Sequence, residues 1–241
     1  MKTVLLASTM LTLAGAAMAQ TTGTGAIDGL NYIQLMSPDG CSTASPCQII
    51  TYLHYLGGES ATPDDVQKYF NNPQFWSANP HTIVLAPMIN GSSDTNNWGG
   101  VQGGVSPNMQ AAVDLVKQTE ATNPTNPNSV VVTGGSMGGI GTQSAMIEYG
   151  PQGTTGQHVF TAGLAYDGAT YNVDSAIQKS ALCGVPLTIV HGTADTTVSP
   201  SPDQQMRKPC PGALVSTRIG CKAQPMAPGT TRPGRATAPA R

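Results

Sequence analysis

The sequence predicts an α/β fold, a mostly parallel sheet flanked by helices. Three observations predict it. Short apolar, β-branched runs alternate along the chain with segments of helical pattern, the order expected of strands joined by crossover helices. The runs at residues 82–86, 129–133 and 185–190 are almost free of polar alternation, as strands covered on both faces are. Between the second of these runs and a helical one stands Gly134-Gly135-Ser136-Met137-Gly138-Gly139, a tight turn joining strand to helix. A chain of 241 residues is long enough for one such domain with a sizeable core.

The elements follow in order. Lys2, the apolar stretch from Val4 to Gly15 and Ala17-Met18-Ala19 have the layout of a secretory signal peptide over residues 1–19, leaving Gln20 as the mature start. A secreted or periplasmic location is therefore expected. No later stretch is long and apolar enough to span a bilayer, so no integral membrane association is expected. Export permits disulfides, and Cys41 and Cys47 flank a short loop that they could close. Cys183 has no evident partner, and the cysteine spacing matches no zinc pattern.

Tyr32–Met36 reads as a first strand and Gln48–Leu56 as a stronger one. Thr62 as N-cap, Pro63 at N1 and Asp64-Asp65 in the first turn mark a helix start. Thr82–Ala86 is a strand, followed by a Gly/Asn/Ser-rich loop over 90–104. Ser106-Pro107 opens a helix with Met109, Ala112, Val113 and Val116 on one face. Residues 123–128, rich in Asn and Pro, read as a connector into the strand Ser129–Thr133. Ile140–Tyr149 is the helix after the turn. Val159–Ala165 and Val185–Val190 are further strands with a helical stretch near 173–181 between them, and Pro200–Met206 starts another helix.

In open parallel sheets the functional loops lie at the carboxyl ends of the strands, and Ser136, Asp195 and His54-Tyr55 all fall there. Ser136 has what a nucleophile needs. Glycines flank it because side chains would clash in so tight a turn, and the helix start behind it offers positive potential and unpaired N–H groups to an oxyanion. The backbone N–H of Met137 is the first candidate donor. A serine hydroxyl is a weak nucleophile until a base takes its proton, and an acid must orient that base.

The quoted turn is accompanied by four further segments. His191-Gly192-Thr193-Ala194-Asp195 resembles the HGxxD segment that carries the triad acid in many α/β-hydrolases. Leu53-His54-Tyr55-Leu56-Gly57-Gly58-Glu59 is similar to their LHGxGG segment, with Tyr55 in place of a glycine. Leu85-Ala86-Pro87 and Asn97-Trp98-Gly99-Gly100 lie between them. Together, over about residues 31–206, they resemble the secreted carboxylesterase and polyhydroxyalkanoate-depolymerase-like branch of the α/β-hydrolase superfamily. That resemblance implies an α/β-hydrolase domain over residues 20–206 and cleavage of acyl esters through a Ser-His-Asp triad, without a cofactor. It implies Ser136 as nucleophile, Asp195 as triad acid with Asp167 the alternate, and an oxyanion hole from the backbone of Met137 and Tyr55. His54 is then a loop-organising residue. The implied partner is a small or polymeric ester, peptide-like substrates being also compatible. No motif points to nucleic acid or to a metal cluster.

Two features depart from the family pattern. The four histidines are His54, His81, His158 and His191, and none follows Asp195, where the family carries its triad histidine. The chain is therefore expected to lack its general base. Charge also changes abruptly: residues 1–206 hold four lysines, no arginine and all thirteen acids, whereas 207–241 hold five arginines, two lysines and no acid. Such a tail reads like a GC-rich gene in another frame. A shifted frame across Met226–Thr230 can encode His-Gly-Thr-Trp-Asp, similar to the family's histidine motif. The expectation is thus that residues 207–241 are out of frame or disordered and leave the sheet incomplete, with a ligand-binding pseudo-hydrolase as the second reading.

Overall fold

The computed structural model describes residues 21–56, 63–70, 72–89, 98–99, 106–169, 185–206 and 216–219. The signal segment, the Thr62 cap, Gly57–Glu59, most of the 90–104 loop, the helical stretch near 173–181, Cys183 and the Met226–Thr230 segment lie outside the described residues.

Eight strands form one sheet: β1 (Thr21–Ile27), β2 (Leu30–Met36), β3 (Cys47–Leu53), β4 (Thr82–Met88), β5 (Thr125–Gly135), β6 (Ala162–Tyr166), β7 (Leu187–His191) and β8 (Ser216–Ile219). Their order is β1-β2-β4-β3-β5-β6-β7-β8. The β1–β2 and β2–β4 pairs are antiparallel, and every pair from β4–β3 to β7–β8 is parallel. The helices are α1 (Pro63–Phe70), α2 (Pro73–Ala78), α3 (Pro107–Thr122), α4 (Met137–Tyr149) and α5 (Ser201–Met206). This is the mixed, mostly parallel, helix-flanked sheet of the α/β-hydrolase fold.

Every residue of β4 is buried, because the sheet is covered on both faces. On one face Ile33, Leu35, Val84 and Ala86 pack with Val66 and Phe70 of α1 and Trp76 of α2. On the other, Ile49, Leu53, Ile83, Leu85, Val130 and Val132 pack with Met109, Val113 and Val116 of α3 and Met146 of α4. Two neighbouring helix starts are capped by short polar side chains. Ser106 accepts from the Met109 N–H, and Asn72 accepts from the Gln74 N–H. Cys41 and Cys47 form a disulfide that ties the entry of β3 to the preceding loop.

The structure differs from the sequence reading in three places. β5 begins at Thr125, inside the expected connector, and its register with β3 shifts between Cys47 and Ile49. That irregularity absorbs Pro127, which cannot donate to a ladder. β1 and α2 were not expected: β1 is Thr/Gly-rich and α2 has only six residues. The tail, expected to leave the sheet incomplete, supplies the eighth strand, with Thr188 opposite Ser216 and His191 opposite Ile219. Extended pairing needs backbone donors and acceptors more than apolar side chains, so Ser216-Thr217-Arg218-Ile219 suffices at an edge.

The first turn of α4 rests on the end of β3 at backbone distance. A Cβ at Gly138 would stand 1.9 Å from the Leu53 carbonyl oxygen, and one at Gly134 2.5 Å from the same atom. Gly138→Ala must therefore push α4 off the sheet, at a cost of about 3 kcal/mol or more. Gly23→Ala on β1, with nothing within 4 Å of the new methyl, should leave stability unchanged or raise it by about 0.5 kcal/mol. Urea unfolding of the two variants beside the parent chain checks both.

Candidate active site

Ser136 stands between β5 and α4 with φ 54° and ψ −119°, one of three non-glycine residues with positive φ among those described. An L-residue held there is strained, and the strain is carried by what surrounds it. The Ser136 N–H donates to the Tyr166 carbonyl at 2.9 Å, and the Ser136 carbonyl accepts the Ile140 N–H at 2.9 Å. Its hydroxyl makes no capping bond to α4. The chain on either side is therefore pinned, and the residue itself is half-buried. Met137 is the first residue of α4, so its N–H belongs to the helix-start donors that have no intrahelical partner.

The loop after β3 approaches from one side. Leu53 is opposite Gly134 in the ladder, so Tyr55 and Ser136 each lie two residues past a paired position. His54 organises this loop. Its Nδ1 lies 2.8 Å from the Tyr55 carbonyl, and its Nε2 accepts the Ile89 N–H at 3.0 Å. One nitrogen must donate and the other accept, so the ring is neutral with the proton on Nδ1. Trp98 donates its indole N–H to the His54 carbonyl at 3.1 Å and stands edge-on to the ring.

The acid loop approaches from the other side. Asp195 leaves the end of β7 and accepts from the Thr197 N–H at 2.7 Å and the Val198 N–H at 3.0 Å. Those two backbone donors hold its carboxyl below the usual carboxylate range. Asp167, after β6, accepts the Gly192 N–H at 2.8 Å and so clips the ends of β6 and β7 together.

The expectation that the chain lacks the histidine of its triad, because none follows Asp195, is overturned. His191 ends β7, fully buried, with Nδ1 bonded to the Asp203 carboxylate and Nε2 3.6 Å from Asp195 Oδ2. Nε2 also lies 3.0 Å from the Val198 carbonyl. Burial opposes the charged imidazolium, but the bonds to Asp203 and Val198 and the charges of Asp203 and Asp167 outweigh it and raise the pKa. The histidine precedes Asp195 in the chain instead of following it, so an out-of-frame tail is not needed to account for one. His81 and His158 precede β4 and β6, at the opposite end of the parallel strands, and bond the Gly40 and Gly150 carbonyls. His54 has both nitrogens committed, to the Tyr55 carbonyl of its own loop and to the Ile89 N–H after β4. His191 is thus the histidine that the fold places among carboxylates.

Sequence reasoning missed two residues here. Asp203 of α5 is fully buried and bridges His191 to Gln143 of α4, whose amide N–H₂ bonds Asp203 at 3.0 Å and the Gly168 carbonyl at 2.6 Å. An acid in the first turn of α5 was visible in the sequence, but its contact is tertiary. Asp167, His191 and Asp195 also bring ligating atoms within 4.8 Å of one another. Each of the three also has a hydrogen-bond partner in these loops.

No protein-family model and no curated protein sequence matches the chain. Solved structures do. A thermostable esterase matches with a TM-score of 0.67 at 19% identity, over 85% of this chain and 55% of that one. Thermogutta terrifontis esterase 2 phosphoramylated by tabun gives 0.56 at 15% identity, over 83% and 81%. A ferulic acid esterase gives 0.57 at 13% identity, over 84% and 89%. The chain spans about half the length of the first of these. Likeness at such identities shows the α/β-hydrolase fold. Among the described residues no helix is long and apolar enough to cross a membrane.

The His191–Asp203 pair has a pH signature. A raised histidine pKa stabilises the fold fully below the ordinary histidine value and loses that contribution as pH rises through the raised one. Asp203→Asn should cost about 3 kcal/mol near pH 5 and clearly less near pH 9. Thermal melting of both chains across that range checks the sign: a gap that widens with pH would contradict it.

Proposed function

We propose that the chain is an exported serine hydrolase that cleaves carboxylic esters. The observation that carries the reading is Ser136 at the strained turn, with its backbone pinned on both sides and its hydroxyl spared from capping α4. In this reading Ser136 attacks the ester carbonyl, and the backbone N–H groups of Met137 and Tyr55 receive the charge that develops on its oxygen. Preorganised donors at such a position are worth about 3 kcal/mol each in comparable enzymes. His191 is the histidine of the site, with Asp203 on Nδ1 and Asp195 beside Nε2. As described, Nε2 shares its proton with the Val198 carbonyl. Nε2 can take the Ser136 proton only after its own proton has passed to solvent and the Val198 carbonyl has given way, so the segment Asp195–Pro200 is the part of the site that has to move. Residues 20–206 would form the catalytic unit, and the tail contributes β8 to it.

Reaction with a fluorophosphonate probe tests the nucleophile, because only an activated serine reacts quickly. Labelling at Ser136, abolished in Ser136→Ala, is the expected result, together with turnover of a chromogenic short-chain ester. His191→Gln should lower kcat by about a thousandfold or more. Turnover unchanged by His191→Gln would remove His191 from the chemistry, and absence of labelling in the parent chain would sink the reading.

A further inference from the structure

Single exposed apolar residues are ordinary on protein surfaces, but a cluster of them around a reactive group is not. Among the described residues the exposed large apolar side chains are Tyr55 (41%), Leu56 (61%), Tyr69 (54%) and Tyr166 (43%). All four gather at the carboxyl edge of the sheet. Tyr55 and Leu56 follow β3, the strand on one side of β5, and Tyr166 ends β6, the strand on the other. Tyr166 is paired with Gly135, and its Cβ lies 3.9 Å from where a Cβ on Gly135 would stand. Because Gly135 has no side chain, nothing from that residue separates the Tyr166 ring from the turn carrying Ser136. Tyr69 of α1 joins from above: its hydroxyl donates to the Tyr55 hydroxyl at 3.1 Å, and its ring lies 5.7 Å from that of Tyr52. The Tyr52 ring also meets Phe70 edge-on at 5.6 Å. Two of the rim residues are thus held by a built aromatic cluster rather than left as loose surface.

Resting on the reading of Ser136 given above, we propose that Tyr55, Leu56, Tyr69 and Tyr166 form a rim that selects esters bearing an aryl group. Aromatic faces attract another ring more than an alkyl chain of similar size, through offset and edge-on contacts beyond simple area burial. The rim is built of three tyrosines and one leucine and contributes no carboxylate and no ammonium group of its own. The bond to Tyr55, with burial and the neighbouring tyrosines and Asp65, pushes Tyr69 up to about 12. A charged substrate therefore has no counter-ion in the rim itself. An aryl ester lying with its ring between Tyr166 and the Tyr55–Tyr69 pair brings its carbonyl to the serine between them.

The test separates the rim from the chemistry by using the full chain with Ser136→Ala, which binds without turning over. Calorimetric titration with methyl 3-phenylpropanoate and with methyl hexanoate should show about tenfold preference for the aryl ester. On that background Tyr166→Ala should bring the ratio close to one, and Tyr166→Phe, which keeps the ring, should retain most of it. Equal affinities, no binding of either ester, or a preference that survives Tyr166→Ala would overturn the inference. If Tyr166→Ala fails to fold, Tyr69→Ala takes its place with the same expectation. Fluorophosphonate labelling of the parent chain reports on the serine alone. Labelling without aryl preference overturns the rim and leaves the nucleophile standing. Aryl preference without labelling overturns the ester-hydrolase reading and leaves the rim as a binding surface.

Discussion

The Leu53 carbonyl and the Gly138 backbone meet at a separation that leaves no room for a side chain. The arrangement at the carboxyl edge depends on that approach. It sets the first turn of α4 against the end of β3, and so bends the chain at Ser136 into a conformation that an L-residue adopts only under constraint. It also brings the start of α4, with its unpaired N–H groups, to the level of the loop that carries His54 and Tyr55. The same closeness recurs on the other side, where a Cβ on Gly139 would stand 2.4 Å from the Tyr166 carbonyl oxygen. The turn is held between β3 and β6, and the proposed chemistry and the proposed rim both inherit their geometry from it.

A second constraint runs through the core. Gln143, in the buried helix α4, reaches the Gly168 carbonyl and Asp203, and Asp203 reaches His191. One buried chain of hydrogen bonds therefore links the serine's helix, the loop after β6, the end of β7 and α5. Buried polar groups of this kind are costly unless satisfied. The network accordingly holds the acid loop in register with the turn, and a proton-accepting role for His191 has to be reached from within it by moving the Val198 carbonyl. The proposed chemistry is thereby tied to the segment Asp195–Pro200, whose Val198 carbonyl meets His191 and whose Thr197 and Val198 N–H groups bond Asp195.

Much of the fold was legible because the physics behind it is local. β4 is buried along its whole length, the apolar parts of β5 and β7 alternate buried with half-buried residues, and Ser106-Pro107 announces α3 through its cap. The turn at Ser136 was legible because close backbone approach admits only glycine, which leaves a mark in the sequence. Other features depended on partners distant in the chain. β1 and β8 are edge strands whose pairing asks little of their side chains. The first residues of β5 resemble a turn and are strand only because the register with β3 shifts to receive Pro127. The error over the histidine had a particular cause. The family's chain order directs attention to residues after Asp195, whereas the structure joins His191 to its carboxylates across a helix that order does not mention. Asp203 lies twelve residues on, and nothing in its neighbours shows that it is buried.

The central claim is that the turn holding Ser136 makes it a covalent nucleophile. Mixing the full chain with an activated aryl ester, quenching in acid within the first turnover and mapping the adduct by peptide mass spectrometry tests this most directly. The account predicts a burst of product matched by one acyl group on the peptide containing Ser136. An acyl group on another residue, or product released with no adduct at all, would contradict it.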